Sequence, residues 1–449
     1  MSQRLEEITD FILAEVKRHG ATAADVVAVE GDTLDVGVRV GEVEKLKQAR
    51  EKRLGLRVFA GQSSAITSTA DFSRDSLQRL AGDTCTLARV TAPDPHSGLP
   101  DELVPLGELP ELGLYDEAVA GVTADDAIGW AKRAEAAARE ADVRITNSDG
   151  SEFHASTARI VYASSAGFQG SYRTSSASLS AVPIASLDGK MQRDYWYSAR
   201  RRLADLDSPE SIGKRAAERA LRRLGARQVE TCEVPVVFDP EMASGLLRHL
   251  AGAISGDAIY QGTSFLVGKL DQPIAPEFFN VADDGRLANG LGSKPFDAEG
   301  LATRRNVVVE NGVLRSWLCD TCSGRKLGRA STANAGRSVG GPPHVTTTNF
   351  ILQPGTTPPG ELIRSVDRGL YVTELIGFGV NSTTGDYSRG AAGMWIENGE
   401  LAFPVEEITI AGNLLQMFQD IEAIANDLDL RAATRAPTLK IRRMTVAGK

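Results

Sequence analysis

Hydrophobic positions change their spacing several times along this chain, and each change marks an element. Leu5, Ile8, Ile12 and Val16 recur at helical spacing over residues 2–19, and Gly20 offers a C-terminal stop. The period then falls to two. Leu34, Val36, Val38 and Val40 share one face of "LDVGVRV", Leu54, Leu56 and Val58 share one face of "LGLRVFA", and "SSAITST" follows. Asp71 is placed to cap a helix over residues 73–88.

Residues 91–122 are broken by Pro and Gly and read as a long connection. An Ala-rich helix is predicted over 123–141, with Thr123 as its cap and Asp125 and Asp126 in its first turn. The runs "ARIVYASS", "SYRTSSASLSAVPIA" and "KMQRDYWYSARR" have strand character. A further helix is capped by Ser208, opened by Pro209 and ended by Gly225. The first half therefore reads twice as helix, strand meander, helix, without sequence identity between the copies.

The second half has one clear helix, over 240–255, capped by Asp239 and opened by Pro240. Elsewhere short apolar runs alternate with turn residues. "NVVVENGVLRSWL" and "MWIENGELAFPV" read as hairpins, because Asn311-Gly312 and Asn398-Gly399 suit the positive φ angles of a type I′ turn. "GLYVTELIGFGV" and "EEITIAG" supply more strands. The expectation is an α+β protein: an N-terminal α+β domain over 1–228, then a mostly antiparallel, sandwich- or barrel-like β domain over 229–449 carrying one prominent helix.

Composition narrows the function classes. The net charge of −9 argues against a protein that tracks nucleic-acid phosphates, because that affinity comes from Lys and Arg. No apolar run reaches bilayer length. The N-terminus is amphipathic and carries acidic residues, unlike a signal peptide. Four scattered cysteines do not make a disulfide framework. A cytoplasmic protein without membrane association is expected.

Several residues could carry chemistry. His249 falls at the edge of the apolar stripe formed by Met242, Leu246, Leu250 and Ile254. No second ligand type stands three to five residues after it, so it reads as a border-of-core histidine rather than a metal ligand. Cys319 and Cys322 form a C-x-x-C after a strand-like run and before the helical "SGRKLG". They are a redox pair, half of a zinc site lacking its partners, or two small buried thiols. Gly385–Gly393 gathers Asp386, Tyr387, Ser388 and Arg389. It is either a surface β-loop whose Arg389 pairs with an acid, or a polar loop lining a cleft, with Gly390 and Gly393 letting another backbone approach. No phosphate-binding loop and no G-x-S-x-G nucleophile elbow is present.

Three stretches, "PFDAEGLATRRNVVVENGVLRSWL", "TGDYSRGAAGMWIENGELAFPVEEITIAGNL" and "IANDLDL", resemble the TldD/TldE (PmbA) family, its TldE/PmbA branch in particular. The resemblance spans most of the chain and is densest from residue 235 onward. It implies a two-domain α+β subunit of a heterodimeric zinc metallopeptidase acting on unfolded or flexible peptides. In that family the TldD subunit holds zinc with a His-Glu-x-x-x-His helix and a distant Cys in Gly-x-Cys-Gly-Lys. Aligned on that helix, this chain places Leu247 at the first His, Arg248 at the Glu and Gly252 at the second His. No cysteine follows Cys322.

The resemblance thus implies a subunit without a cofactor of its own, zinc in a TldD-type partner, and a share in a peptide chamber used in proteolysis and peptide processing. Asp386, Tyr387, Ser388 and Arg389 are the expected substrate- or partner-facing residues. His344, Thr347 and Asn349 of "PHVTTTN" join them. The alternatives are a self-sufficient homodimeric hydrolase using Cys319 and Cys322 or an unrecognised metal site, and a peptide-binding adaptor.

Overall fold

Helix α1 (Leu5–Arg18) buries the four residues of the helical pattern, and the chain leaves it through Gly20 at φ +80°. The structure, a computed structural model, describes residues 5–101 and 111–449. Residues 2–4 of the expected first helix and 102–110 of the expected connection lie outside the described residues.

Strands β1 (Ala23–Arg39), β2 (Glu42–Ala60) and β3 (Ser63–Thr69) follow as an antiparallel meander, closed by α2 (Arg74–Val90). Asp71 does not cap α2. Its carboxylate accepts the Ser73 N–H at 2.9 Å, two residues on, so Ser73 takes the cap position. After the short α3 (Glu117–Ala120), α4 (Ala124–Arg139) starts from a capping box in which Thr123 and Asp126 each accept the other's backbone N–H. Then come β4 (Ile145–Ser164), β5 (Gln169–Leu187), β6 (Lys190–Arg193), β7 (Trp196–Arg200) and α5 (Pro209–Leu221), capped by Ser208.

The two copies of helix, meander and helix share one sheet. Its order is β3-β2-β1-β4-β5-β6, with β7 beside β5, and the β1–β4 pairing joins the copies. Four strands run 17 to 20 residues, against the usual five or six. Ala24, Val26 and Ala28 of β1 pack under α1 and α2, while Leu34, Val36 and Val38 pack under α4. Between the helix pairs the same strand carries Glu30, Gly31 and Asp32, which hid its continuity in the apolar pattern. Val40 departs from the predicted face: it sits in the β1–β2 turn at φ +51° and is exposed.

The second half contains β8 (Cys232–Phe238), α6 (Pro240–Ala253), α7 (Gly256–Tyr260), β9 (Val281–Asp284), β10 (Arg305–Glu310) and β11 (Val313–Leu314). It continues with α8 (Thr321–Lys326), β12 (Ala335–Gly336), β13 (His344–Val345), β14 (Phe350–Leu352), α9 (Pro359–Arg364) and β15 (Arg368–Ile376). It ends with β16 (Asp386–Glu397), β17 (Glu400–Asn413), α10 (Leu414–Gln419), β18 (Ile421–Ile424), β19 (Thr434–Arg435) and β20 (Leu439–Ala447).

Asn311, Gly312, Asn398 and Gly399 all have positive φ, as the two hairpin turns require. The larger sheet runs β17-β16-β15-β8-β20-β18, and β17 also pairs with β20, so five strands close on themselves. Only β8–β15 is parallel in that sheet. A second sheet, β11-β10-β9-β14-β19, lies beside it, and α6 packs on β8, β14, β15 and β19. The chain is α+β, and its largest apolar core is drawn from residues between Val229 and Val446.

The halves meet through a buried ionic cluster. Asp25 of β1 accepts from Arg57 of β2 and, at 2.7 Å, from Arg337. Arg57 lies 3.6 Å from Glu299, whose other oxygen accepts the Thr321 N–H at 2.8 Å.

Candidate functional site

Helix α6 begins where Asp239 accepts the Met242 N–H at 2.9 Å, with Pro240 next. Its apolar residues set its rotation. Leu246, Leu247 and Leu250 go fully into the core, so Arg248 and Gly252 face solvent. His249 is half-buried at the border, where the helical projection places it.

The three positions aligned with a zinc helix therefore offer no donor set. Leu247 is an aliphatic side chain inside the core, Arg248 is a cation, and Gly252 has no side chain and empty space around it. Among the described residues no three His, Cys, Asp or Glu side chains gather closely enough to hold a metal ion. Zinc does not fit here, because its sites need His, Cys or carboxylate ligands.

Tyr387 meets His249. The two rings lie edge to face, 6.0 Å between centroids and 82° apart. Tyr387 is the second residue of β16 and is buried, and its hydroxyl has no hydrogen-bond partner. Burial pushes that phenol up to about 12, against the pull of the neighbouring Arg389 guanidinium. Arg389 donates through Nη2 to the Leu375 carbonyl at 3.3 Å, and its buried Nε has no partner. His249 is held below its ordinary range by burial and then by Arg389 and Arg248, so it stays a neutral imidazole at pH 7. Two donors without acceptors thus stand beside a neutral histidine, which suits an incoming acceptor oxygen.

The expected loop is in fact strand. Asp386–Glu397 is β16, and the turn proper precedes it, passing Gly385 at φ +82°. Arg389 bonds a backbone carbonyl rather than the acid expected of a surface β-loop, because β15 runs alongside it. Gly393 does permit close approach: a Cβ there would stand 2.0 Å from the Tyr371 carbonyl oxygen. Gly390 is less crowded, with Ile376 at 3.4 Å. Asp386 and Ser388 are exposed, and Asp386 accepts from Thr384 Oγ1 at 2.6 Å. Ahead of β16, Ile376 at the end of β15 is 57% exposed and Phe378 in the turn after it is fully exposed.

The "PHVTTTN" residues go elsewhere. His344 is exposed on β13, opposite Gly336, and Thr347 is half-buried. Asn349 is fully buried, with both polar atoms of its side chain committed. It donates to the Asp284 carbonyl at 2.6 Å and Ser293 Oγ at 2.8 Å, and accepts the Gly292 N–H at 3.0 Å. It is a positioning residue for that loop and cannot face a substrate.

Cys319 and Cys322 flank the start of α8, which Asp320 caps through the Ser323 N–H. Burial pushes the Cys319 thiol up to about 11 and raises Cys322 as well. A redox or nucleophilic cysteine needs the opposite shift; Cys319 is buried as the thiol reading has it, while Cys322 is only half-buried.

The convergence of His249, Tyr387 and Arg389 was not readable in advance, since nothing local links a helix border to a distant strand start. The orphaned Arg and Tyr had no sequence signal.

Three consecutive segments match one family: residues 24–88 the PmbA/TldA metallopeptidase domain 1, 117–224 its central domain, and 231–448 its C-terminal domain. The fold and these matches define a metallopeptidase-family protein. The Metalloprotease PmbA of Escherichia coli O157:H7 is 37% identical over 99% of this chain and 96% of its own length. The Haemophilus influenzae PmbA homologue is 36% identical over 99% and 96%. A solved Bacteroides thetaiotaomicron protein superposes with a TM-score of 0.92 at 29% identity, covering all of both chains. TldE from Thermococcus kodakarensis shares the fold, with a TM-score of 0.87 at 20% identity over 99% of this chain and all of its own. The chain belongs to the PmbA/TldD metallopeptidase family.

Proposed function

We propose that this chain is the zinc-free, TldE/PmbA-type subunit of a two-subunit metallopeptidase that cleaves unfolded or flexible peptides. A TldD-type homologue supplies the zinc and the general base. The observation that carries this reading is Leu247: at the aligned position of the first ligand, the chain has an aliphatic residue wholly inside its core. The reading treats the chain as two domains, 1–228 and 229–449.

The partner- or peptide-facing surface is the start of β16. Exposed Ile376 and Phe378 supply apolar area beside Asp386 and Ser388, and the unfilled donors of Tyr387 and Arg389 lie just beneath. Because β16 is paired with β17 on one side and bonded to the preceding turn on the other, a peptide rests on this patch rather than adding to the strand.

The test is co-expression with a TldD-type protein. A stable complex is expected, with zinc in the partner and peptidase activity on unfolded casein lost when this chain is left out. Stoichiometric zinc and peptidase activity in the isolated chain would favour a self-sufficient hydrolase. Failure to associate with any such partner would favour an adaptor. Phe378→Asp is expected to weaken the complex without unfolding the subunit.

A further inference from the structure

A cavity of about 540 Å³ opens where α5, the first turn of α6, α9 and the segment 427–431 meet. That volume lies within the roughly 300–1,000 Å³ of small-molecule sites. The cavity lining includes none of His249, Tyr387 and Arg389.

Its charged wall is almost self-neutralised. Arg219 reaches Asp194 at 3.1 Å and Asp239 at 3.7 Å. Asp429 holds Arg431 at 2.7 Å. Asp427 accepts from the Thr438 N–H and hydroxyl at 2.9 and 2.7 Å. Among the buried polar side-chain atoms of the wall, those of two residues are left without partners. Arg222, at the C-terminal end of α5, has Nε and Nη2 closed off from solvent and bonded to nothing. Glu241, in the first turn of α6, accepts from the Tyr195 hydroxyl through Oε1, while its Oε2 is equally closed off and has no partner.

These unmade bonds are complementary. The Nε–Nη2 edge of a guanidinium is the fork that takes a carboxylate with two parallel hydrogen bonds. A free carboxylate oxygen takes an ammonium. Leaving such groups unpaired in a buried wall is costly, and burial with Arg219 alongside pulls Arg222 below its ordinary range. Both residues line the cavity, so turns about their terminal torsions would be needed to bring these atoms to a ligand. A simple anion would face Asp239, Asp427 and Asp429, and a simple cation would face Arg219 and Arg431. A ligand with one charge of each sign avoids both penalties.

We propose that this cavity binds an amino acid or short peptide with free termini, its α-carboxylate on Arg222 and its α-ammonium on Glu241. On the peptidase reading proposed above, this ligand class matches what the assembly releases, which makes the cavity a product site apart from the Tyr387 cluster.

Calorimetric titration of the full chain with alanyl-alanine, N-acetyl-alanyl-alanine and alanyl-alaninamide tests this. The free dipeptide is expected to bind, and each capped form to bind at least tenfold more weakly. Arg222→Gln is expected to abolish discrimination against the amide, and Glu241→Gln discrimination against the acetyl form. Absence of binding to the wild-type chain, or equal binding of all three ligands, overturns the proposal. So does an unchanged preference in both variants. The capped ligands decide the matter on the wild-type protein even where a variant fails to fold.

Discussion

Replacing Glu299 with Gln should flatten part of the pH dependence of stability. Glu299 is almost wholly buried between the two halves, 3.6 Å from Arg57, and accepts the Thr321 N–H at 2.8 Å. Burial lifts its carboxyl from an ordinary 4.5 to about 7. Arg57 works against that rise and Asp297 adds to it. The folded chain therefore binds this proton more tightly than the unfolded chain does. The resulting stabilisation is complete below about 4.5 and is lost as pH rises through about 7. At about 1.4 kcal/mol per pH unit, the interval is worth on the order of 3 kcal/mol.

Glu299→Gln keeps an acceptor for the Thr321 N–H and leaves Arg57 paired to Asp25. Urea unfolding of both proteins at pH 5 and pH 8 is the assay. The variant should match the wild type at pH 5 to within about 1 kcal/mol and exceed it by on the order of 3 kcal/mol at pH 8. A difference that stays constant with pH would refute the reasoning. So would a variant that loses stability at pH 8, since that would make the charged Glu299–Arg57 pair net favourable.

Asn349→Ala should cost about 2–3 kcal/mol in denaturant unfolding, because it strands buried groups of the 284–293 loop; a loss under 0.5 kcal/mol would contradict the assigned bonds. Native protein at pH 7 should react with iodoacetamide at Cys319 far more slowly than unfolded protein, since the thiol is pushed up to about 11; equal rates by mass spectrometry would remove the buried-thiol reading. Leu247→His/Arg248→Glu/Gly252→His should take up no stoichiometric zinc, and Leu247→His alone should destabilise by about 3 kcal/mol or more by forcing an imidazole into an apolar core. One zinc per chain by elemental analysis would show that the core opens to present that residue.

Much of the fold was legible because it follows from local rules. Alternating Leu and Val residues marked β1 and β2, and Thr123, Ser208 and Asp239 marked helix starts through the bonds they make to the next turn. Asn-Gly pairs marked both hairpins through φ angles other residues avoid. Local rules failed where a neighbour decided the outcome. The long strands looked short because their middles lie in a gap between helix pairs, where polar residues are tolerated. Asn349 was expected at the substrate from the family resemblance, which does not show that its hydrogen bonds are already filled.

The sequence by itself determined the alternation of elements, the family, and the absence of His, Cys or carboxylate side chains at Leu247, Arg248 and Gly252, since an absent donor atom needs no coordinates to be absent. The tertiary structure alone decided which distant residues meet. Packing α6 against the closed sheet brought His249 to Tyr387, and joining the halves buried Glu299 and left Arg222 and Glu241 incomplete in one cavity wall. Burial, and with it the dielectric and the supply of partners, is a property of the assembled neighbourhood, so the chemistry of those groups exists only once the chain has folded.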